Sequence, residues 1–78
     1  MDRNIKLLTQ VETGTKVKIR SLNGGRGLHA RLAGMGLIPG LIVEVISQGI
    51  TGPSVIVHNG CRLAIGRGMA QKIIVSDQ

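Results

Sequence analysis

An Asn-Gly pair at positions 59 and 60 restricts the fold of this chain more than any other feature of the sequence. The pair stands between residues 54–58 and 61–65, two short and mainly apolar runs. Asn and Gly both tolerate the positive φ angles of a type I′ turn, which joins antiparallel strands through only two residues. The sequence therefore predicts a tight β-hairpin, with His58 and Cys61 directly opposed on one of its faces.

Three further stretches predict strands. Residues 16–20 alternate charged and apolar side chains, which predicts a half-buried strand with Val17 and Ile19 facing the core. Residues 41–46 and 72–75 are mainly apolar and predict two more strands. With the two strands of the hairpin, these make about five short strands.

One short helix is predicted between the first two of these strands. Residues 26–33 suit a helix because Leu28 and Leu32 are four positions apart, and we expect both to share a face with Met35. Glycine and proline then predict a turn before the next strand. The residues expected to define this turn are Gly36, Pro39 and Gly40.

The core of such a domain must be aliphatic, because the 78 residues include no Phe, Tyr or Trp. Branched aliphatic side chains pack well on pleated sheets, and the 12 glycines suit tight turns between short strands. A chain of this length is enough for one domain. We therefore expect a single domain over residues 1–78, mainly β, a small SH3-like barrel of about five strands with one short helix inserted after the first strand.

The charge balance bears on partners and not on the fold. Ten Lys and Arg side chains stand against four acidic ones, which gives a formal net charge of +6. Such a surface attracts acidic protein faces or polyanions. A single cysteine suits a reducing compartment, and neither a signal peptide nor an apolar stretch of roughly 20 residues is found, so we expect a cytoplasmic protein.

Side chains suited to catalysis are scarce. No two of the four acids are placed for general acid–base work, so we expect no enzymatic activity and no cofactor. His58 and Cys61 are the candidate metal ligands, because imidazole and thiolate both bind zinc. A structural zinc site needs four ligands, however. The sequence favours the alternative that Cys61 is a small buried hydrophobic residue and His58 a polar residue at the rim.

Several segments match the pattern of one protein family in order and spacing. Residues 14–19 match an opening glycine and first strand, and residues 31–40 match Arg-Leu, then Met-Gly-Leu, then Pro-Gly before an apolar strand. Residues 63–65 and 70–75 complete a similarity that covers nearly the whole chain. On these segments the chain resembles the FeoA family.

The resemblance to the FeoA family implies both a fold and a function. Its members have an SH3-like barrel with a helix after the first strand, and no established catalytic residues. Stand-alone members accompany a large membrane permease for ferrous iron, whose cytoplasmic end carries a GTP-binding domain. The resemblance thus implies a non-enzymatic accessory protein of ferrous iron uptake that docks on the cytoplasmic side of a FeoB-type permease, and through it on the membrane.

The docking surface is expected to be basic, because the chain has many more cations than acids. Lys and Arg side chains on one face would complement an acidic face of the permease. The arginines expected to bind it are Arg20, Arg26, Arg31 and Arg67.

Two other functions fit parts of the sequence. A KOW-like basic barrel bound to RNA or the ribosome would keep the chain extended after Gly27. The lack of aromatic side chains counts against base stacking, so no nucleic-acid partner is expected. A self-associating structural module is the other alternative. Val55 and Val57 lie on the hairpin face opposite Ile56, and an exposed apolar strip there would suit a homo-oligomer.

Overall fold

Short strands and two helices make up the computed structural model, which describes residues 5–49 and 52–78. The strands are β1 (Ile5–Leu7), β2 (Lys16–Leu22), β3 (Ile42–Gln48), β4 (Ser54–His58), β5 (Cys61–Ile65) and β6 (Ile73–Asp77). A 3-10 turn (Leu8–Gln10) follows β1, and the helices α1 (Arg26–Gly34) and α2 (Arg67–Ala70) follow β2 and β5. The expected mainly β architecture, with a helix between the first two predicted strands, is confirmed.

The strands of the described residues form one antiparallel sheet in the order β1-β6-β2-β3-β4-β5. Its register shifts between Ile19 and Ser21 in β2 and between Val45 and Ser47 in β3. Such bulges bend a strand and increase its twist, which allows a sheet of short strands to curl around one core. The additional strand is β1, whose three residues are too few to show an alternating pattern.

The core is aliphatic throughout. Val17 and Ile19 are fully buried, as the alternation in this strand predicted, and each strand from β3 to β6 also contributes buried Val or Ile side chains. Leu8 in the 3-10 turn and Val11 directly after it belong to the same cluster. Full burial of one such side chain contributes about 1.5–3 kcal/mol to folding, so this small set of residues dominates the stability of the domain.

One side chain ties the 3-10 turn to the sheet. Gln48 Nε2 donates hydrogen bonds to the backbone carbonyls of Leu8 and Val11, each at 2.8 Å. The hydroxyl of Ser54 donates to Gln48 Oε1 at 2.6 Å. Because Leu8 and Val11 are buried, the Gln48 amide satisfies two carbonyls in a segment that folding removes from water.

The end of α1 corrects the prediction that Met35 shares the buried face of this helix. The helix ends at Gly34, and Met35 lies just beyond it with 37% of its surface exposed. Leu32 is buried as predicted, and Leu28 packs against the core. The residue that enters the core after the helix is Leu37, which is 2% exposed.

A Schellman motif explains this arrangement. Gly36 has a φ of +85°, so the chain reverses directly after the helix. The Gly36 N–H donates to the Ala33 carbonyl at 2.9 Å, and the Leu37 N–H donates to the Leu32 carbonyl at 2.8 Å. These are the two hydrogen bonds of the motif, and the burial of Leu32 and Leu37 supplies the hydrophobic contact that commonly accompanies it.

The structure also bears on the two alternative functions. The helix that begins at Arg26 contradicts the extended chain after Gly27 that a KOW-like barrel requires. Val55 and Val57 are half-buried, so the strip expected on that face of the hairpin is only partly open. Within the described ranges, no helix combines the length and the apolar character that crossing a bilayer would take.

Candidate functional site

An apolar groove lies between the turn that follows α1 and the β4–β5 hairpin. Its volume is about 310 Å³. Leu37, Leu41, Ile56 and Leu63 line it, and Met35 adds an apolar side chain that is partly open to solvent. A concave surface of this composition suits an apolar side chain of a ligand or of another protein.

The segment from Met35 to Leu41 forms one side of the groove because of its two turns. The Schellman motif at Gly36 places Met35 outside the core and Leu37 inside it. The second turn ends at Gly40, which has a φ of +96° and donates its N–H to the Ile19 carbonyl at 2.7 Å. This backbone hydrogen bond holds the segment against β2, and the segment forms one side of the groove.

The opposite side of the groove comes from the hairpin. Asn59 has a φ of +50° and Gly60 a φ of +79°, the two positive angles of a type I′ turn. His58, Cys61 and Arg62 line the groove at this end. The hairpin therefore adds an imidazole, a thiol and a guanidinium beside the apolar wall.

The two candidate metal ligands are close together, but Cys61 is not buried as the sequence favoured. His58 and Cys61 are paired directly across the hairpin. Cys61 is an exposed free thiol and not a buried hydrophobic residue, and it is the first residue of β5 after the turn. His58 is half-buried, and its Nδ1 lies 3.1 Å from the Ile42 carbonyl oxygen. In residues 5–49 and 52–78, no three His, Cys, Asp or Glu side chains are grouped to hold a metal ion.

The four arginines expected at the docking surface lie on three separate elements. Arg20 is in β2 beside its bulge, Arg26 and Arg31 are in α1, and Arg67 begins α2. All four are exposed, and none of them lines the apolar groove. Arg67 instead lines a smaller and more polar groove of about 230 Å³. The structure thus separates the predicted basic residues from the apolar site.

The sequence singled out Gly36, His58 and Cys61, which line the groove, but not its apolar side chains or its position. Met35 was expected on the helix face of Leu28 and Leu32, and Arg62, which does line the groove, was not among the expected docking residues. One signal was available: a glycine that follows a helix reverses the chain, so the residue before it turns away from the helix face. The meeting of residues 35–41 with the hairpin had no local signal, because it depends on the order of the strands.

Comparisons with known proteins agree with the resemblance. The FeoA domain model matches residues 6–77. A protein of Methanocaldococcus jannaschii that carries the provisional name Fe(2+) transport protein A is 37% identical over 70 residues, which are 90% of this chain and 84% of that protein.

Solved structures give the same result for the fold. The crystal structure of an iron uptake regulatory protein (FeoA) is 31% identical, with a TM-score of 0.88 over 95% of this chain and 99% of that one. A manganese-dependent transcriptional repressor is 14% identical, with a TM-score of 0.88 over 100% of this chain and 44% of the repressor. This second likeness shows the fold alone, as one part of a longer protein.

Proposed function

Because this chain belongs to the FeoA family, we propose that it is a non-enzymatic accessory protein of ferrous iron transport that docks on the cytoplasmic side of a FeoB-type permease. The names of its relatives, an Fe(2+) transport protein and an iron uptake regulatory protein, support the transport role. In this proposal the protein works in the cytoplasm and reaches the membrane through the permease.

The apolar groove is the observation that supports docking most directly. It is open to solvent, it is backed by the buried core, and the segment with the closest family resemblance forms one of its sides. Binding energy at protein interfaces is concentrated in a few apolar or aromatic side chains that enter such pockets. We propose that the groove receives an apolar side chain of the permease, with Met35 and Leu63 in contact with it.

The arginines have a different role in this proposal. They are exposed and lie outside the groove, so they keep most of their hydration. Charges at such positions act mainly on the rate of encounter and on the choice of partner. Arg20, Arg26, Arg31 and Arg67 would steer the protein towards an acidic face, and the groove would hold it there.

An NMR titration tests the proposal. Isotope-labelled protein is titrated with the GTP-binding domain of the companion permease, and then with the whole permease in a membrane mimetic. The proposal expects the largest shift changes at residues 35–41 and 56–63. Changes confined to surfaces away from the groove would contradict its role, and no change with the whole permease would overturn docking itself.

Two variants provide a matched comparison. Met35 and Ile38 are both exposed apolar residues of one loop, at 37% and 51%, but only Met35 lines the groove. We expect Met35→Asp to weaken docking by at least about tenfold, since an interface anchor contributes roughly 2 kcal/mol. Ile38→Asp introduces the same charge nearby and should change the affinity far less. Equal losses would mean that the added charge matters and the groove does not.

A further inference from the structure

The tip of the β4–β5 hairpin presents two metal-binding side chains to solvent. Asn59 and Gly60 form a two-residue turn, so His58 and Cys61 are directly opposed and on the same face. Side chains in this relation have their Cβ atoms about 4.5–5.5 Å apart, close enough for both to reach one ion. Cys61 is free and exposed, so its sulfur is accessible.

The orientation of His58 is the second observation. Its Nδ1 lies 3.1 Å from the Ile42 carbonyl oxygen, and a carbonyl can only accept a hydrogen bond. Nδ1 therefore carries the proton and donates, which in the neutral ring leaves the lone pair on Nε2. Histidines that bind metals through one nitrogen usually donate the other N–H to a carbonyl or carboxylate in this way. The backbone of β3 thus orients the His58 ring as it would be oriented in a metal site.

The donor set indicates the class of ion. Imidazole nitrogen and thiolate sulfur together suit Zn²⁺ and Co²⁺, whereas Fe²⁺ binds such ligands more weakly in the usual order of metal affinities. Zn²⁺ with these ligands is tetrahedral and takes four of them. One hairpin supplies two, and the described residues of one chain contain no larger ligand group.

A second copy of the chain can complete the coordination. A twofold axis through the ion would bring the same pair from each copy, as closed dimers do with any self-complementary site. The two turn residues at the tip of the hairpin, Asn59 and Gly60, are both exposed, and Gly60 has no side chain. Two thiolates also neutralise the two positive charges of the ion, so the site adds no charge between two chains that each carry a formal +6.

We propose that two copies of this chain bind one zinc-class divalent cation between their hairpin tips, through Nε2 of His58 and Sγ of Cys61 in each copy. This inference does not depend on docking to the permease. Because His58 and Cys61 also line the apolar groove, the second copy would lie next to it.

Titration with Co²⁺ in the presence of a phosphine reductant tests the proposal, since the reductant prevents a disulfide through Cys61. The expected result is an absorption spectrum of tetrahedral Co²⁺ with a thiolate charge-transfer band, saturating at one ion for two chains. Zn²⁺ should displace Co²⁺ and remove the bands. Sedimentation velocity of the same samples should show the mass of a dimer with metal and of a monomer after chelation.

Variants separate the proposed site from metal bound elsewhere. Cys61→Ser should lose the charge-transfer band and the dimer, and its exposed position keeps the fold intact, which an NMR spectrum checks. His58→Gln should lose the dimer, whereas His29→Gln, a change at the other histidine, should keep it. A metal-dependent dimer in Cys61→Ser, or saturation at one ion per chain without dimerisation, would overturn the proposal.

Discussion

At Gly36 the backbone adopts a φ of +85°, a conformation that side chains of L-residues strongly disfavour. A Cβ atom built at this position would meet no other atom within 4 Å. Space is therefore not the reason for a glycine here. The reason is conformational, because the turn needs the left-handed region to direct Leu37 into the core.

Replacing Gly36 with alanine should destabilise the protein by about 1–2 kcal/mol, the cost of a left-handed conformation for a residue with a Cβ atom. Urea unfolding followed by circular dichroism measures the effect. Gly27→Ala is the matched control: Gly27 lies in α1, its added Cβ also meets nothing within 4 Å, and its φ is not left-handed. The control should be neutral or slightly stabilising. Similar losses in both variants would contradict the conformational explanation.

At the scale of the elements, the side chain of Gln48 connects the 3-10 turn to the sheet. The 3-10 turn follows β1, which pairs with β6, and it carries the buried residue Leu8. The two hydrogen bonds from Gln48 connect this turn to β3, and Ser54 fixes the amide by donating to its oxygen. One amide thus connects the segment that follows β1 to the neighbouring strand β3.

Gln48→Met should cost about 1–3 kcal/mol of stability, since it leaves the carbonyls of Leu8 and Val11 without their donor while keeping a side chain of similar length. Amide hydrogen exchange should rise first in residues 8–11, ahead of β4 and β5. Ser47→Ala, at the exposed neighbouring position, is the control and should change neither quantity. Protection that stayed unchanged over residues 8–11 in Gln48→Met would show that the amide does not hold the turn.

The elements differ in how far the sequence predicts them, and the reason is the range of the interactions. The hairpin, β2 and α1 follow from local patterns: an Asn-Gly turn, an alternation of side chains, and leucines four positions apart. The short strand β1 has no such pattern and exists because it pairs with β6. The groove depends on residues 35–41 and 56–63, which only the completed sheet brings together. The exposure of Cys61 is likewise a consequence of tertiary position.

On the scale of the whole molecule, charge and apolar surface are separated. The chain carries a formal net charge of +6, but among the described residues Arg62 is the one arginine that lines the groove. Long-range attraction acts over about 8 Å at physiological salt, so exposed arginines outside the groove still influence the approach of an acidic partner. In the proposed docking, the groove would supply the short-range contacts that determine how long the partner stays.

This separation predicts that two kinds of variant will change different rate constants. Neutralising Arg20, Arg26, Arg31 and Arg67 to Gln should lower the association rate constant for the permease by roughly tenfold or more at low salt, and flatten its salt dependence. The dissociation rate constant should change little. Met35→Asp should instead raise the dissociation rate constant and change the association rate constant little, because it removes a contact in the groove. Surface plasmon resonance at several ionic strengths measures both constants.

Net charge alone must be distinguished from the position of the charges. The control is a variant in which Gln replaces Lys16, Lys18 and Lys72. These replacements lower the net charge at other described positions, and Lys16 and Lys72 are exposed there. If the arginines face the partner, the lysine variant should lose less association rate per charge removed, since screening weakens charges that lie farther from the contact. Equal losses per charge would mean that the whole molecule steers through its net charge and that these arginines do not define the docking face.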